Sequence, residues 1–363
     1  MRVAVLGAAG TIAPAIVRDL AESSEVESIL LLDLRGEVAE RVASEQGGRK
    51  AGAREADARD GLADSLVAVD VLVNSASYRV NLDAMRACIG AGCHYLDLGG
   101  LYHVTGEQLA LHDAFEEAGL LAILGIGSSP GKTNLMARWA VDALGGRADA
   151  VQVMAAGRDL DPPAGLSFPY SLQTLLDELT LAPVVLRGGE PIEVEPLSNG
   201  GEVDFGEPIG LAPTIHTLHS ELRTFGDSFG CAECAFRLSL APALLERLRS
   251  LADAPEDVVK AAAAKAQRPS PQTVSVHLVE ARAGERRATV RAVTRPHADW
   301  RLGGGIVSTA APAAATVRLL ARRQIDASGA LPPERCIEPA AMFSELSERG
   351  CRFEIEVGEA VTA

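Results

Sequence analysis

Gly7, Gly10 and Ala13 follow one another at three-residue intervals directly after the apolar run 3–6, and a second apolar run, 29–32, ends on the carboxylate of Asp33. Each residue type has a chemical use at its place. Gly7 permits a tight turn, Gly10 lets the backbone approach a pyrophosphate closely, and small Ala13 lets a following helix pack against the strand. Backbone amides at the start of that helix face the phosphates. An acidic side chain at the second strand end is placed to accept hydrogen bonds from an adenosine ribose. The pattern points to a dinucleotide, with Gly7, Ala9, Gly10, Thr11 and Ile12 around the pyrophosphate and Asp33, Leu34 and Arg35 around the ribose. Asp33 repels a 2′-phosphate and favours NAD, whereas Arg35 would bind that phosphate; NAD is the expected coenzyme, with NADP the alternative. Ala9 replaces the middle glycine of the strict G-x-G-x-x-G, so a buried turn that merely needs small residues is the competing reading.

These residues need a strand, a turn and a helix to hold them. Ile12, Ile16, Val17 and Leu20 recur at helical spacing after the turn. Further along, strands are expected near 53–57, 69–73, 94–97 and 120–124, with helices over 37–45, 80–91 and 107–118. This alternation predicts an α/β fold, a Rossmann-type doubly wound parallel sheet, whose ligands lie outside the carboxyl ends of the strands. The tips at Gly7, Asp33, 75–78, 97–100 and 127–131 should therefore converge. Ser75, Ala76, Leu98 and Gly99 then fall near the coenzyme. Asp57 and Ala58 fall near the adenine, or in a plain turn.

From about residue 149 the pattern becomes apolar–polar alternation around glycine turns, which predicts an α+β domain on a mixed or antiparallel sheet. Helical pieces are expected at 172–179, 214–223 and 242–251, with a helix and surface loop over 253–271. Beyond residue 304 a helix capped by Ser308 or Thr309, with Pro312 in its first turn, should return to the first domain. The expected division is 1–128 with a return over about 305–345, and 129–304.

The 363 residues, 47% hydrophobic and 23% charged, suffice for two or three domains, and the net charge of −15 disfavours nucleic acid and anionic membrane as partners. No apolar run approaches the ~20 residues that span a bilayer, and residue 1 leads straight into a strand, so a cytoplasmic protein is expected. Six scattered cysteines read as reduced thiols. A homodimer is the base-rate expectation. His216 and His219 with Cys231 and Cys234 form H-x2-H then C-x2-C, four candidate zinc ligands, but the order is not a common zinc spacing and no metal is expected. The segment GSSPGKT is not a phosphate loop, because Ile126 stands where G-x-x-x-x-G-K-T requires glycine.

Several segments resemble the saccharopine dehydrogenase-like family, which includes lysine 6-dehydrogenase, saccharopine reductase and carboxynorspermidine dehydrogenase. They are GAAGTIA, ASYRVNLDAMRACIGAGCHYLDLGG, GIGSSPGKTNLMA, YSLQTLLDELT, PVVLRGGEPIEVEPL, TIHTLHSE and STAAPAAATVRLLARRQIDASGALPPE, in order along nearly the whole chain. The pattern is most similar to the lysine 6-dehydrogenase branch. Saccharopine reductases carry an Asp just before the Pro-Gly pair; this chain has Ser129, and lysine 6-dehydrogenases also lack that Asp.

The resemblance implies reversible hydride transfer between a nicotinamide and the carbon of a CH–NH or CH–NH2 group in an amino acid or related amine, through an imine. A base must take a proton in the oxidative direction. Tyr78 should lie beside the nicotinamide, either bonding the amine or simply packing. Asp97 could pair with an ammonium group or cap its loop. His219 is the preferred acid or base, with His216 near the substrate; an ordinary histidine is the competing reading. Ser77, Gly100, Lys132 and Asn134 are the remaining substrate candidates. Alternatives are reductive imine chemistry of the saccharopine reductase or carboxynorspermidine dehydrogenase kind, and a dinucleotide-binding sensor or scaffold without turnover.

Overall fold

A computed structural model describes residues 1–359 apart from Leu166 and Pro169. The chain divides into two compact units, residues 1–135 with 309–346, and residues 136–308 with 347 onward.

In the first unit, β1 (Arg2–Leu6), β2 (Ser28–Asp33), β3 (Ala51–Glu55), β4 (Val71–Asn74), β5 (His94–Asp97) and β6 (Leu121–Ile123) are all parallel. Among the described residues a seventh strand, Gly329–Leu331, joins beside β6, giving the order Gly329–Leu331, β6, β5, β4, β1, β2, β3. At three residues it is too short to show a period in the sequence. β1 and β4 are continuous apolar runs because helices cover both faces of a parallel sheet. One face packs Tyr95, Met85, Phe115 and Leu72 into a common core. The helix Ala13–Glu22 buries Ala13, Ile16, Val17 and Leu20, the stripe its spacing predicts. The expected single helix at 107–118 is two, Leu101–Leu109 and His112–Glu117, parted by a turn in which the Leu111 amide donates to the Gln108 carbonyl.

The helix Gly304–Ala321 begins before Ser308, so Pro312 lies in its interior and not in its first turn. Flanking alanines keep the helix propensity high enough, together with burial, to carry the proline. Arg318 on this helix is buried between Asp19 (2.8 Å) and Glu345 (2.5 Å), which pins the returning segment to the helix Ala13–Glu22. The sequence reading found no membrane-length apolar run, yet this helix is long and apolar enough to cross a bilayer; 72% of it is buried inside the fold, which accounts for its apolarity.

The second unit is built on β7 (Ala150–Asp159), β8 (Val184–Arg187), β9 (Glu190–Glu193), β10 (Asn199–Asp204), β11 (Leu211–His216), β12 (Glu233–Ser239), β13 (Thr273–Ala283), β14 (Arg286–Thr294) and the closing strand Cys351–Glu359. Its main path runs β10, β11, β12, β7, β13, β14, Cys351–Glu359. β12 and β7 are parallel and the other pairs antiparallel, so the sheet is mixed. Residues 214–223, expected as a helix, are the end of β11 and a short turn at Glu221–Arg223. Pairing of β11 with β10 on one edge and β12 on the other overrides the helical spacing there.

Candidate functional site

The strand tips of the first unit are laced together. Gly7 has φ +77°, and a Cβ there would stand 2.5 Å from the Ala76 amide nitrogen, because the chain leaving β4 passes directly over the turn. The Ser75 amide and hydroxyl both donate to the Leu6 carbonyl, at 2.9 and 2.8 Å. The Gly10 amide donates back to the Gly7 carbonyl (2.9 Å). The helix Ala13–Glu22 that follows has no side-chain cap at Ile12 and no acidic residue in its first turn. Its positive end is thus left for an anion. Thr11 is exposed and Ile12 is buried beneath it.

At the tip of β2, the Asp33 carboxylate accepts from the amides of Ala9 and Arg35, both at 2.9 Å. Arg35 donates to the Ala9 carbonyl (3.0 Å) and lies 3.6 Å from Asp33, with its side chain 64% exposed. The acidic residue therefore fixes the glycine turn, while the guanidinium stands at its lip beside exposed Leu34. Asp57 is exposed in a turn where it accepts from the Arg59 amide (2.9 Å), and Ala58 packs on the core.

Asp97, at the tip of β5, is buried and takes four donors. One oxygen accepts from the amides of Gly99 (2.8 Å) and Gly125 (2.7 Å), the other from Gln108 (2.5 Å) and Asn81 (3.2 Å). Burial raises its pKa against the pull of these donors. Its oxygens hold loops, in line with the loop-capping alternative. Asn74 extends the network, donating to Asn81 (2.9 Å) and to the Tyr95 hydroxyl (3.1 Å). The Pro-Gly turn closes on the same tips: a Cβ on Gly99 or Gly125 would meet the Pro130 ring at 2.9 or 2.6 Å, and the Gly127 amide donates to the Pro130 carbonyl (2.9 Å). Leu98 and Gly100 lie within this knot, where a Cβ on Gly100 would stand 2.3 Å from Gln108.

Asn134 accepts from the Gly131 amide and donates to Glu334, both at 2.8 Å, and Lys132 is 1% exposed. The Asn134 side chain thus braces the turn, and that of Lys132 is buried beside it in sequence. Ser77 is exposed and accepts from the Arg79 amide (3.4 Å). Tyr78 is half-buried at the tip of β4 with the Arg79 guanidinium 4.7 Å from its ring centre.

His219 and His216 belong to the second unit. His219 is buried, stacked on Phe236 at 3.5 Å, with Nδ1 3.4 Å from Glu221 and Nε2 3.9 Å from Glu178. The Tyr170 hydroxyl donates to Glu178. Burial opposes a charge on His219, but Glu221 and Glu178 together outweigh it and raise its pKa. Burial raises that of Glu178 in turn. The result is a buried cluster of ionisable groups, Tyr170, Glu178, His219 and Glu221, in which His219 Nε2 makes no hydrogen bond. The pKa of His216, at the end of β11, is lowered by burial and by Arg237 and Arg187. His216, His219, Cys231 and Cys234 are not gathered as ligands; among the described residues the one group of three metal-capable side chains is His112, Asp113 and Glu116.

Sequence reasoning missed Asn74, Asn81 and Gln108, whose signal is an amide where a strand or helix should be apolar. It also missed Tyr170 and Glu178, which stand at the start and near the end of the motif YSLQTLLDELT.

Residues 3–123 match the family described as saccharopine dehydrogenase NADP binding domain. The match covers this stretch of the chain and stops at the sixth strand. The uncapped helix, the Gly7 turn and the exposed Arg35 of that stretch fit an NAD(P) coenzyme. Carboxynorspermidine synthase of Vibrio alginolyticus is 34% identical over 122 residues, 29% of this chain and 29% of that protein. Carboxyaminopropylagmatine dehydrogenase of Synechocystis sp. is 27% identical over 194 residues, 50% of this chain and 47% of that protein. The match thus spans less than half the length of either relative. Saccharopine dehydrogenase (L-Glu forming) of Saccharomyces cerevisiae shares the fold, with TM-score 0.72 at 15% identity over 98% of this chain and 99% of that one.

Proposed function

We propose that the chain is an NAD(P)-dependent dehydrogenase that interconverts an amine and its imine at a CH–NH bond of a carboxylated amine. The observation that carries the reading is the Gly7 turn, crossed by Ala76 and opening onto an uncapped helix within a domain of an NADP-binding family. The substrate class rests on the names of the Vibrio and Synechocystis relatives, both of which denote carboxylated amines.

The bound coenzyme supplies a hydride acceptor in one direction and a donor in the other. In oxidation the C–H electron pair leaves as hydride, the nitrogen loses its proton, and C=N remains. The nitrogen must be neutral when hydride leaves, so a proton acceptor is required. In this reading His219 is the candidate acceptor, with Glu221 and Glu178 stabilising its charged form and Tyr170 donating to Glu178. Arg35 admits the 2′-phosphate of NADP(H). Tyr78 orients the amine, and the Asp97 network keeps the strand tips in place.

A second reading, oxidation of a primary amine as in lysine 6-dehydrogenase, is favoured by Ser129, which leaves no carboxylate before the Pro-Gly turn. The test is nicotinamide absorbance with purified protein, NAD and NADP in both directions, lysine, and N-carboxyalkyl amines. Turnover of the N-carboxyalkyl amines supports the first reading and of lysine alone the second. Coenzyme binding without turnover across the panel contradicts both and leaves a sensor.

A further inference from the structure

We propose that Cys231 and Cys234 are a modification site, a dithiol pair that hydrogen peroxide oxidises to an intramolecular disulfide. The short helix Phe225–Phe229 ends on Gly230 at φ +69°, which turns the chain back on itself. Cys231 then donates to the Phe225 carbonyl (3.2 Å) and its sulfur lies 2.8 Å from that of Cys234. Cys234 is fixed in β12 by pairing with Val151 of β7 and Leu186 of β8. Both thiols are free and buried, and only two residues separate them in the chain.

The two sulfurs are not equivalent. The hydrogen bond between the two sulfurs lowers the pKa of Cys231 and raises that of Cys234, and the Cys231 thiol already has the Phe225 carbonyl as an acceptor. Cys231 is thus the nucleophile and Cys234 the resolving thiol. The Cys231 thiolate attacks one peroxide oxygen, the O–O bond breaks, and the departing hydroxide takes up the proton that Cys231 gave. Sulfenic acid remains on Cys231. Cys234 sulfur then attacks that sulfur, the S–O bond breaks, and the hydroxyl leaves with the Cys234 proton as water. Two thiols lose two electrons, and one peroxide becomes two waters. Cys88 and Cys93 offer a comparison inside the same chain: all four thiols are buried, but burial and Cys93 raise the pKa of Cys88, whereas that of Cys231 is lowered. The disulfide would tie the helix Phe225–Phe229 to β12 two residues before Phe236, on which His219 stacks.

The experiment exposes the full chain to hydrogen peroxide, denatures it, alkylates free thiols and reads peptide masses. The peptide carrying Cys231 and Cys234 should lose two hydrogens and escape alkylation about tenfold faster than Cys88 or Cys93 is modified. Cys234→Ser should leave a dimedone-reactive sulfenic acid on Cys231, and Cys231→Ser should give neither product. The wild-type measurement stands if a serine variant fails to fold. Both thiols remaining alkylatable, or reacting at the rate of Cys88, overturns the proposal. So does stoichiometric zinc held by these thiols in the purified protein.

Discussion

Replacing Arg35 with alanine separates recognition of the coenzyme from support of the glycine turn. The guanidinium is 64% exposed, 3.6 Å from Asp33, and bonded to the Ala9 carbonyl. A charge-assisted hydrogen bond to a phosphate contributes about 1.5–3 kcal/mol when well formed. Solvent exposure and the existing Asp33 partner bring it towards the ~1 kcal/mol of a surface ion pair. The expected loss is about 1–2 kcal/mol, roughly a 5- to 30-fold rise in the Kd for NADPH. NADH has no 2′-phosphate, so its Kd should change by less than about twofold, the size of a weak surface effect. Titration of nicotinamide fluorescence with each coenzyme measures both numbers. An equal loss for NADH and NADPH would refute the reasoning, since Arg35 would then act only through the Ala9 loop.

Gly7→Ala forces a side chain into φ +77° and against the Ala76 backbone, costing more than about 1 kcal/mol and lowering both the Tm and coenzyme affinity; unchanged values of both contradict the crossing described. Asp97→Asn places an amide against donors on Gln108 and Asn81, and Asn81 cannot turn to help because its oxygen accepts from Asn74. A loss of about 2 kcal/mol in urea unfolding is expected, and an unmoved midpoint refutes the network. His219 gains proton affinity on folding, so its stabilisation is complete below its ordinary pKa of 6.5 and disappears as pH rises through the raised folded value. His219→Gln should flatten that part of the stability-against-pH curve, and a curve of unaltered slope contradicts the pairing with Glu178 and Glu221.

The first unit was legible because its period is strong. β1, β2 and β5 follow apolar runs that end at glycine or aspartate, and Gly7 has few uses other than a positive φ. What escaped was decided by partners distant in sequence. β11 looks helical at 214–221 until β10 and β12 bind its two edges. Pro312 looks like a helix start until the alanines around it are buried. Asp97 and Asn134 are reactive types at strand and turn ends, and the sequence does not show that amides surround Asp97 or that Asn134 accepts from the Gly131 amide. Side-chain type marks a residue as capable of chemistry; only the neighbours decide whether its lone pairs are occupied. His219 carries the converse lesson, since Glu178, which lies 41 positions before it, helps set its protonation.

Equilibrium titration of the full chain with NADPH and NADH, followed by displacement with ADP-ribose, tests most directly whether the Gly7 turn holds a dinucleotide. Saturable binding of one coenzyme per chain that ADP-ribose displaces is the expected result. Absence of saturable binding for both coenzymes, or binding that ADP-ribose leaves untouched, would contradict it.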